Sequence, residues 1–373
     1  MQTKVIFANR RGSVNSSVGD VVQMLKTKEY LENMFGYDVT VAYSGKQISQ
    51  SDARIVHIFN IQTIDETLCF IEAAKHSGKL VALSPIYWDL SHANMIAVLH
   101  KYRLLQYARI FKPFRSLLAT MQDTKQIIMR GSSLTAKRRR SIMAADLILP
   151  NSHEEMDILA KVLSLDINHL RRKTRVVPNG IDRTLINDYS GHALVDATDY
   201  VLCVGSYHPI KNQLCLIKAL YDRKDIPIVL VGPIVSRRYF DAVSRLGEAR
   251  GNVYILGQLE HARVYSLYKR AKVHVLASFR ESPGLATLEA LASGCEVVVS
   301  GPEYCPHRYY EYDRYAHICD PYNVRSIRHA ILESYENRKN KDSVRYQQKH
   351  CYEVVADETS KAYRYLLSTC SSQ

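Results

Sequence analysis

Two glutamates, Glu281 and Glu289, are separated by seven residues in the stretch FRESPGLATLEALASGCEVVVSG. Glu281 falls in a polar turn that contains Pro283 and Gly284, and Glu289 falls on a segment whose apolar residues have helical spacing. On that helix Glu289 lies beside Leu285, at the rim of the apolar stripe. A carboxylate at such a rim is costly to bury without hydrogen-bond donors, and sugar hydroxyls are suitable donors. The pair therefore favours recognition of a polyhydroxylated ligand over two solvated acids.

The elements that position these acids read as strand, loop, helix and strand between Ala271 and Gly301. Short β-branched runs before the loop and at Val297–Val299 predict buried strands, and Gly294 stands where a glycine ends a helix. Such a unit places its loop at the carboxyl edge of a parallel sheet, where α/β proteins bind ligands. The helix that opens after Gly284 also offers free N–H groups and a positive dipole end to a phosphate.

This stretch resembles the E-x7-E signature of the retaining glycosyltransferases of family 4, which have the two-domain GT-B fold. The resemblance implies that Glu281 contacts the donor sugar and that Glu289 holds the donor ribose. It also implies a set of residues that line the donor diphosphate, namely Pro283, Gly284, Leu285, Ala286 and Thr287.

A second predicted phosphate contact is Lys211, at the entry of a helix beyond the strand that ends at Gly205. A lysine ammonium and helix N–H groups converge on a diphosphate at such a position. The family pattern has a glycine, an arginine and then a lysine five residues later; Gly205 and Lys211 match, but Ser206 stands at the arginine position. The second positive charge is therefore either missing or supplied elsewhere, by His208 or Arg280.

The length of 373 residues and the alternation of strands and helices predict two domains. The fold class is α/β, and the resemblance implies the GT-B arrangement of two Rossmann-like parallel-sheet domains that face each other across a cleft. We expect an acceptor-side domain at 1–190 and a nucleotide-sugar domain at 191–349. The polar segment Arg183–Thr198 fits a linker. The last helix, at about 350–373, would pack back on the first domain.

Acceptor-side residues are expected after the strands of the first domain. Many family members carry a histidine after the strand Lys79–Leu83, but this chain has Pro85 or Ile86 at the equivalent place. Asp89 and His92 lie nearby, and either would orient or deprotonate an acceptor hydroxyl. The alternative for Asp89 is that it caps the following helix.

The loop after the first strand, TKVIFA, adds two further acceptor-side candidates. Arg10 would meet an anionic acceptor, and its alternative is a solvated arginine. Gly12 would allow substrate to approach the backbone closely, or would serve turn geometry alone.

A formal net charge of +13 and a pI of about 9.2 predict an anionic partner. Lys101–Arg140 carries eleven basic residues and one acid, Asp123, and the Arg138–Arg140 run lies at its end. A basic amphipathic segment with Tyr and Phe suits an anionic bilayer surface. A solvated charged face over a buried apolar side is the alternative. Because no helix-turn-helix, zinc-finger or RNP pattern occurs, we do not expect nucleic acid to be the partner.

Several classes of protein are disfavoured. No run of about 18 apolar residues and no signal-peptide h-region is found, so we expect a cytoplasmic protein without a spanning helix. The eight cysteines form no C-x-x-C pair, which is typical of reduced cytosolic thiols. The G-x-G-x-x-G spacing is absent, so no dinucleotide cofactor is implied. No Asp-x-Asp motif is present, and we expect a metal-independent enzyme with no cofactor.

Together these features predict a retaining glycosyltransferase that moves a sugar from a nucleotide-diphosphate donor to a saccharide or lipid-linked acceptor hydroxyl. We expect a role in cell-surface polysaccharide, lipopolysaccharide or glycolipid synthesis, peripheral on the inner face of the membrane. A nucleotide-sugar epimerase or a phosphorylase of the same fold is one alternative. A non-enzymatic basic protein that binds nucleic acid or membrane is the other.

Overall fold

The computed structural model describes residues 2–10, 12, 19–130, 133–188 and 194–370. The chain divides into two compact units. The first unit comprises Met1–Trp88, Thr120–Gly180 and His350–Gln373, and the second comprises Asp89–Ala119 and Ile181–Lys349.

Eleven strands lie within the described residues. In chain order they are β1 Lys4–Ala8, β2 Asp38–Ala42, β3 Ile55–Phe59, β4 Leu80–Ser84, β5 Leu147–Ile148, β6 Tyr200–Val204, β7 Ile228–Val231, β8 Val253–Leu256, β9 Ala271–Leu276, β10 Glu296–Ser300 and β11 His317–Cys319.

Eighteen α-helices connect these strands in the described part of the chain, and none of them combines the length and the apolar content needed to cross a bilayer. They are α1 Gly19–Phe35, α2 Gly45–Gln50, α3 Ile64–His76, α4 Ser91–Lys101, α5 Ala108–Phe111, α6 Arg115–Arg130, α7 Leu134–Ala144, α8 His153–Val162, α9 Ile167–Arg172, α10 Arg183–Asp188, α11 Gln213–Ala219, α12 Arg237–Arg250, α13 His261–Arg270, α14 Leu285–Ala292, α15 Tyr312–Tyr315, α16 Val324–Glu336, α17 Ser343–Lys349 and α18 Tyr352–Cys370.

The first unit is built on a five-stranded sheet in the order β2-β1-β3-β4-β5, with every pair parallel. Parallel strands need crossover connections, and helices such as α1 and α3 supply them. The chain returns to this unit with α18, where the hydroxyl of Tyr363 lies 2.6 Å from Nδ1 of the buried His57 on β3.

The second unit is built on a six-stranded parallel sheet in the order β11-β10-β9-β6-β7-β8. Alternate residues of each strand pack on opposite faces: Tyr200 and Leu202 of β6 join one buried cluster, and Val201 and Cys203 join the other. Because both faces are covered, the strands read as continuous apolar runs rather than as an alternating pattern.

The segment 89–119 differs from the expectation that residues 1–190 form one domain. Its contacts group it with the second unit. Ile96 and Leu99 of α4 pack in one buried cluster with Phe279 and Tyr322. Burying these side chains stabilises the second unit, and this pairing between residues far apart in sequence is not encoded in local patterning.

The predicted linker Arg183–Thr198 also differs in part from the structure. Its beginning forms helix α10, Arg183–Asp188, and residues 189–193 lie outside the described residues. Asp182 accepts hydrogen bonds from the backbone N–H and the hydroxyl of Thr184, at 3.1 and 2.6 Å. An aspartate that binds these donors favours a helix start over an extended linker.

Candidate functional site

Two neighbouring strands of the second unit deliver the predicted donor-side residues to one sheet edge. β6 ends at Val204 and is followed by the loop that carries Lys211, while β9 ends at Leu276 and is followed by the loop that carries Glu281. β6 and β9 are hydrogen-bonded neighbours and parallel, so both loops leave the same carboxyl edge.

Lys211 and Glu281 form an ion pair at this edge. Nζ of Lys211 lies 2.5 Å from Oε1 of Glu281, and the two side chains are 24% and 11% exposed. The backbone N–H of Glu281 donates to the carbonyl of Tyr304 at 2.8 Å, which ties the β9 loop to the segment after β10. At this burial the pair is screened by water less than a surface salt bridge is.

Asn212 fixes the β6 loop against its neighbours. Its backbone is left-handed, with φ of 63°, and its side-chain amide donates to the carbonyls of Ala277 and Pro321 at 3.0 and 2.9 Å. These bonds fix the residue next to Lys211 to the segments that follow β9 and β11. Asn is one of the few non-glycine residues that adopts this backbone conformation readily.

The turn between Glu281 and α14 brings the chain back towards the carboxylate. The Ser282–Pro283 peptide bond is cis, and Gly284 has φ of +94°. A Cβ on Gly284 would lie 3.2 Å from Oε2 of Glu281, so a side chain there would be strained and crowded. Leu285 begins α14, and the first N–H groups of a helix have no carbonyl within it to bind. The N–H groups of Thr287 and Leu288 donate to the carbonyl of Gly284 at 3.0 and 3.4 Å, so the N–H groups of Leu285 and Ala286 are the ones to consider for an anion.

Glu289 lies on α14 with its side chain only 7% exposed. Two protein groups contact its carboxylate: Nε2 of His261 lies 2.5 Å from Oε1, and the hydroxyl of Tyr268 donates to Oε2 at 3.1 Å. Helix α13 therefore supplies some of the hydrogen-bond donors that the buried carboxylate requires. The sequence had suggested sugar hydroxyls as these donors.

Gly205 and Ser206 form the start of the β6 loop, and their carbonyls accept hydrogen bonds from the side-chain amide of Gln213 at 3.4 and 2.9 Å. A Cβ on Gly232, whose φ is +153°, would lie 2.3 Å from the carbonyl oxygen of Gly205. Only glycine permits this approach of β7 to the loop.

The surroundings of His208 disfavour it as the source of the second positive charge, which the sequence assigned to His208 or Arg280 because Ser206 replaces the family's arginine. Its Nδ1 accepts a hydrogen bond from the backbone N–H of Ile210 at 3.3 Å. Burial is the main cause that lowers the pKa of His208 below its ordinary value of 6.5, and the charges of His100 and Lys211 lower it further. The imidazole is therefore neutral at pH 7.

The two acceptor-side candidates of the 89–119 segment, Asp89 and His92, both have hydrogen-bond partners within the second unit. Asp89 accepts hydrogen bonds from the N–H and the hydroxyl of Ser91 at 2.8 and 3.0 Å, which is the contact expected of a residue at the start of α4. His92 is buried, and its Nδ1 lies 2.9 Å from the hydroxyl of Tyr322. Burial lowers the pKa of His92 to about 4, so the ring is neutral at pH 7. Their acceptor-side roles stay predictions.

In the first unit, Arg10 forms a two-pronged ion pair with Asp20. Its Nη1 and Nη2 lie 2.6 and 3.2 Å from the two carboxylate oxygens, and Asn60 donates to the same carboxylate at 2.8 Å. Arg10 is thus held at the carboxyl end of β1 instead of being a solvated arginine. Gly12 is exposed, and residues 13–18 of this loop lie outside the described residues.

Two residues that contact the Glu289 carboxylate, His261 and Tyr268, were not predicted from the sequence. The available signal was their spacing with Tyr265 at i, i+4 and i+7, which places the three side chains on one helix face immediately before β9. Among the described residues, no three His, Cys, Asp or Glu side chains lie close enough together to hold a metal ion. This observation does not test the metal independence of the enzyme, which stays a prediction.

Solved structures of glycosyltransferases share the architecture of these two parallel-sheet units. Sucrose-phosphate synthase from Thermosynechococcus elongatus matches with a TM-score of 0.71 at 15% identity, over 99% of this chain and 100% of that chain. HepE from Anabaena in complex with UDP and glucose matches with a TM-score of 0.69 at 13% identity, over 97% and 100%. A glycosyltransferase from Rickettsia africae gives 0.69 at 12% identity, over 98% and 99%. The predicted GT-B fold class is confirmed.

Sequence comparison matches the second part of the chain to a family of glycosyltransferases. Residues 189–350 match the model of the glycosyl transferases group 1 family. The chain is also 23% identical over 254 residues to the D-inositol 3-phosphate glycosyltransferase of Xylanimonas cellulosilytica. That match covers 61% of this chain and 57% of the relative's length. The predicted resemblance is confirmed at the level of group 1 glycosyltransferases, and assignment to family 4 stays a prediction.

Proposed function

We propose that this protein transfers a sugar from a nucleotide-diphosphate donor to an acceptor hydroxyl with retention of the anomeric configuration. The observation that carries the proposal is the Lys211–Glu281 ion pair beside the turn that opens α14. This site lies within residues 189–350, which match the model of the group 1 glycosyltransferases. Anabaena HepE, which shares the fold, was solved in complex with UDP and glucose.

Charge stabilisation is the main chemical task of such a site. Negative charge grows on the diphosphate as the glycosidic bond breaks, and donors aimed at that charge lower the barrier. The ammonium of Lys211 and the N–H groups at the start of α14 supply donors without a metal ion. The neighbouring carboxylate of Glu281 would then bind hydroxyls of the donor sugar.

The remaining donor contacts follow from the same edge of the sheet. Glu289 would accept hydrogen bonds from the ribose hydroxyls, and the Gly205–Ser206 backbone would approach the diphosphate. The turn and first helical residues would line the diphosphate, namely Pro283, Gly284, Leu285, Ala286 and Thr287. No separate cofactor takes part, because the nucleotide sugar is the substrate.

On the acceptor side we assign Asp89 the role of base or orienting group, with His92 and Arg10 near the acceptor and Gly12 allowing its approach. A carboxylate with an ordinary hydrogen-bond environment orients a hydroxyl well. The acceptor is a saccharide or a lipid-linked molecule, used in the synthesis of cell-surface polysaccharide, lipopolysaccharide or glycolipid.

An anionic membrane surface is the partner that we propose from the second unit. Six large apolar side chains of the 102–117 surface are at least 36% exposed, namely Tyr102, Leu104, Tyr107, Ile110, Phe114 and Leu117. The exposed basic residues Lys101, Arg103 and Arg109 are interspersed with them. This combination of apolar and basic side chains is typical of peripheral attachment to anionic lipid.

The opposite side of the same segment is packed, which explains why the apolar side chains of the 102–117 surface point outward. Ala108 is buried, and Leu105, Phe111 and Leu118 pack against the cluster that contains Met95. Tyr107, Ile110, Phe114 and Leu117 recur at helical spacing away from that side. We therefore propose a peripheral position on the cytoplasmic face of the membrane.

The Arg138–Arg140 run contributes less to this proposal than its sequence indicated. Nε of Arg138 donates to the carbonyl of Ile61 at 3.4 Å, and Arg140 forms an ion pair with Glu72 at 3.0 Å. Burial lowers the pKa of Arg138, which is a sign of its packing within the first unit. The 102–117 surface therefore carries the membrane proposal.

The function is tested by incubating the purified protein with UDP-, GDP- and ADP-sugars and saccharide or lipid acceptors. We expect release of the nucleoside diphosphate and a product with the donor's anomeric configuration. Lys211→Met and Glu281→Gln should each lower turnover by roughly 100-fold or more, in the range seen when one charge-stabilising donor is removed. Lys218→Met, an exposed lysine on α11, is the matched control and should behave as wild type.

Two outcomes would overturn the proposal. Conversion of the nucleotide sugar to an isomer without release of the nucleotide would indicate an epimerase. Full turnover in Lys211→Met and Glu281→Gln would remove the site assignment.

A further inference from the structure

Two side chains of α13 contact the carboxylate of Glu289 on α14, one at each carboxylate oxygen. Nε2 of His261 lies 2.5 Å from Oε1, and the hydroxyl of Tyr268 lies 3.1 Å from Oε2. Both contacts lie within the second unit. The terminal torsion of a glutamate is broad, so the plane of its carboxylate is set by the donors that bind it.

The two donors differ in their access to solvent. Tyr268 is buried, and burial together with the charge of Glu289 raises the pKa of Tyr268 well above its ordinary value, so its hydroxyl keeps its proton. The side chain of His261 is 31% exposed. The ring of Tyr265 supports both, at 5.4 Å from the His261 ring and 5.8 Å from the Tyr268 ring.

We propose that His261 is a positioning residue that orients the Glu289 carboxylate for a ligand carrying two neighbouring hydroxyls, the ribose diol of a nucleoside diphosphate. This proposal rests on the proposed function, in which Glu289 binds the donor ribose. It adds residues of α13 that act through Glu289.

The hydrogen-bonding capacity of the carboxylate matches such a ligand. An ionised carboxylate has about four acceptor positions, and His261 and Tyr268 occupy two of them. Two hydroxyl donors from a vicinal diol would fill the other two. A carboxylate that is fixed before binding loses less conformational freedom when the diol arrives, so affinity increases. Loss of His261 would leave the carboxylate held on one oxygen only.

The experiment measures the affinity of the full chain for two nucleotides by isothermal titration calorimetry. The probe is whichever of UDP, GDP and ADP binds the wild-type protein tightest, compared with its 2′,3′-dideoxy form. We expect His261→Ala to weaken the ribonucleotide by roughly tenfold, the lower range for loss of a group that orients a ligand-binding side chain. The dideoxynucleotide should bind both proteins equally.

Two further variants separate positioning from folding. His261→Gln keeps a side-chain N–H donor and should restore most of the ribonucleotide affinity. His329→Ala removes an exposed histidine of the same unit, on α16, and should leave both affinities unchanged. Circular dichroism and thermal denaturation check that each variant is folded.

The outcomes distinguish this inference from the proposed function. Unchanged ribonucleotide affinity in His261→Ala, or an equal loss for both nucleotides, would overturn the positioning role while leaving nucleotide binding intact. Failure of the wild-type protein to bind any of the three nucleoside diphosphates would overturn the proposed function and this inference with it.

Discussion

Lys211 Nζ lies 2.5 Å from Glu281 Oε1, although 70 positions separate the two residues in the chain. The ion pair joins the loop after β6 to the loop after β9. The cation that we assign to the diphosphate is thus held by the carboxylate that we assign to the donor sugar. A diphosphate that binds the Lys211 ammonium must either share this cation with the Glu281 carboxylate or displace the carboxylate from it.

Replacement of Glu281 should separate nucleotide binding from turnover. Glu281→Gln removes the competing negative charge, so we expect the nucleoside diphosphate to bind several-fold more tightly, as loss of a partly exposed ion pair of about 1 kcal/mol allows. Turnover of the nucleotide sugar should fall because the contact to the sugar is lost. Calorimetry and a nucleotide-release assay measure the two quantities.

Lys211→Met provides the comparison for Glu281→Gln, because it should weaken the nucleoside diphosphate and lower turnover together. A Glu281→Gln protein that binds the nucleotide more weakly than wild type would contradict competition within the ion pair.

The 102–117 surface should control attachment to membranes. We expect Ile110→Ser combined with Phe114→Ser to lower binding to vesicles containing phosphatidylglycerol by tenfold or more, since these side chains are 67% and 54% exposed and each would bury apolar area in the bilayer. Vesicle sedimentation measures the bound fraction. Binding of the wild type should weaken with added salt, because the basic residues contribute through charge.

Ile234→Ser combined with Val235→Ser is the matched control, since both residues are exposed apolar side chains of the second unit outside the 102–117 surface. This control should bind vesicles as the wild type does. Equal binding of the wild type to phosphatidylcholine vesicles would argue against the charge component.

Arg250 is a buried cation whose guanidinium binds backbone carbonyls. Its side chain is 0% exposed, and its guanidinium donates to the carbonyls of Leu220, Arg223, Ile226, Gly251 and Asn252. We expect Arg250→Met to lower the free energy of unfolding by roughly 3–5 kcal/mol, because buried carbonyls lose their donors. Denaturant titration measures the change.

Arg245→Met, on the same helix but exposed, is the control and should change stability by less than about 0.5 kcal/mol. A similar effect of the two substitutions would mean that the buried guanidinium contributes little.

The stability of the first unit should fall in mild acid because of His57. Burial lowers its pKa from 6.5 to about 3, and its ring nitrogens contact the hydroxyls of Tyr363 and Ser84 at 2.6 and 2.8 Å. Between pH 6.5 and 3 the unfolded chain takes up a proton on this residue and the folded chain does not. The free energy of unfolding should therefore decrease as the pH is lowered from 6.5 towards 3, by up to about 1.4 kcal/mol per pH unit for this group.

Denaturant titrations at pH 7.5, 6 and 5 measure that slope. His57→Gln should flatten the slope, because glutamine does not take up the proton, whereas His329→Gln at an exposed site should leave it unchanged. An identical slope in wild type and His57→Gln would show that other groups cause the loss of stability.

The strand, turn, helix and strand around Glu281 and Glu289 were predicted correctly from the local sequence. The run before the loop forms β9, the helix begins at Leu285 after a glycine with positive φ, and Val297–Val299 lies in β10. These features depend on apolar spacing, turn residues and helix ends, which are properties of a few consecutive residues.

Two aspects of the site could not be predicted in this way. The contacts of His261 and Tyr268 with Glu289 require α13 to pack beside α14. The apolar spacing of one helix does not indicate which other helix it packs against. The segment 89–119 was expected to belong with the strands that precede it, but Met95, Ile96 and Leu99 are buried in a cluster of the second unit.

The sequence by itself determined that the chain alternates strands and helices, that two glutamates flank a tight turn before a helix, and that a lysine follows an earlier strand. Those properties come from short-range sterics and periodicity. The tertiary structure alone decided that β6 lies beside β9, which brings Lys211 against Glu281, and which donors bind Glu289. Strand order and helix packing are set by how distant apolar faces are buried together, and that information is spread over the whole chain.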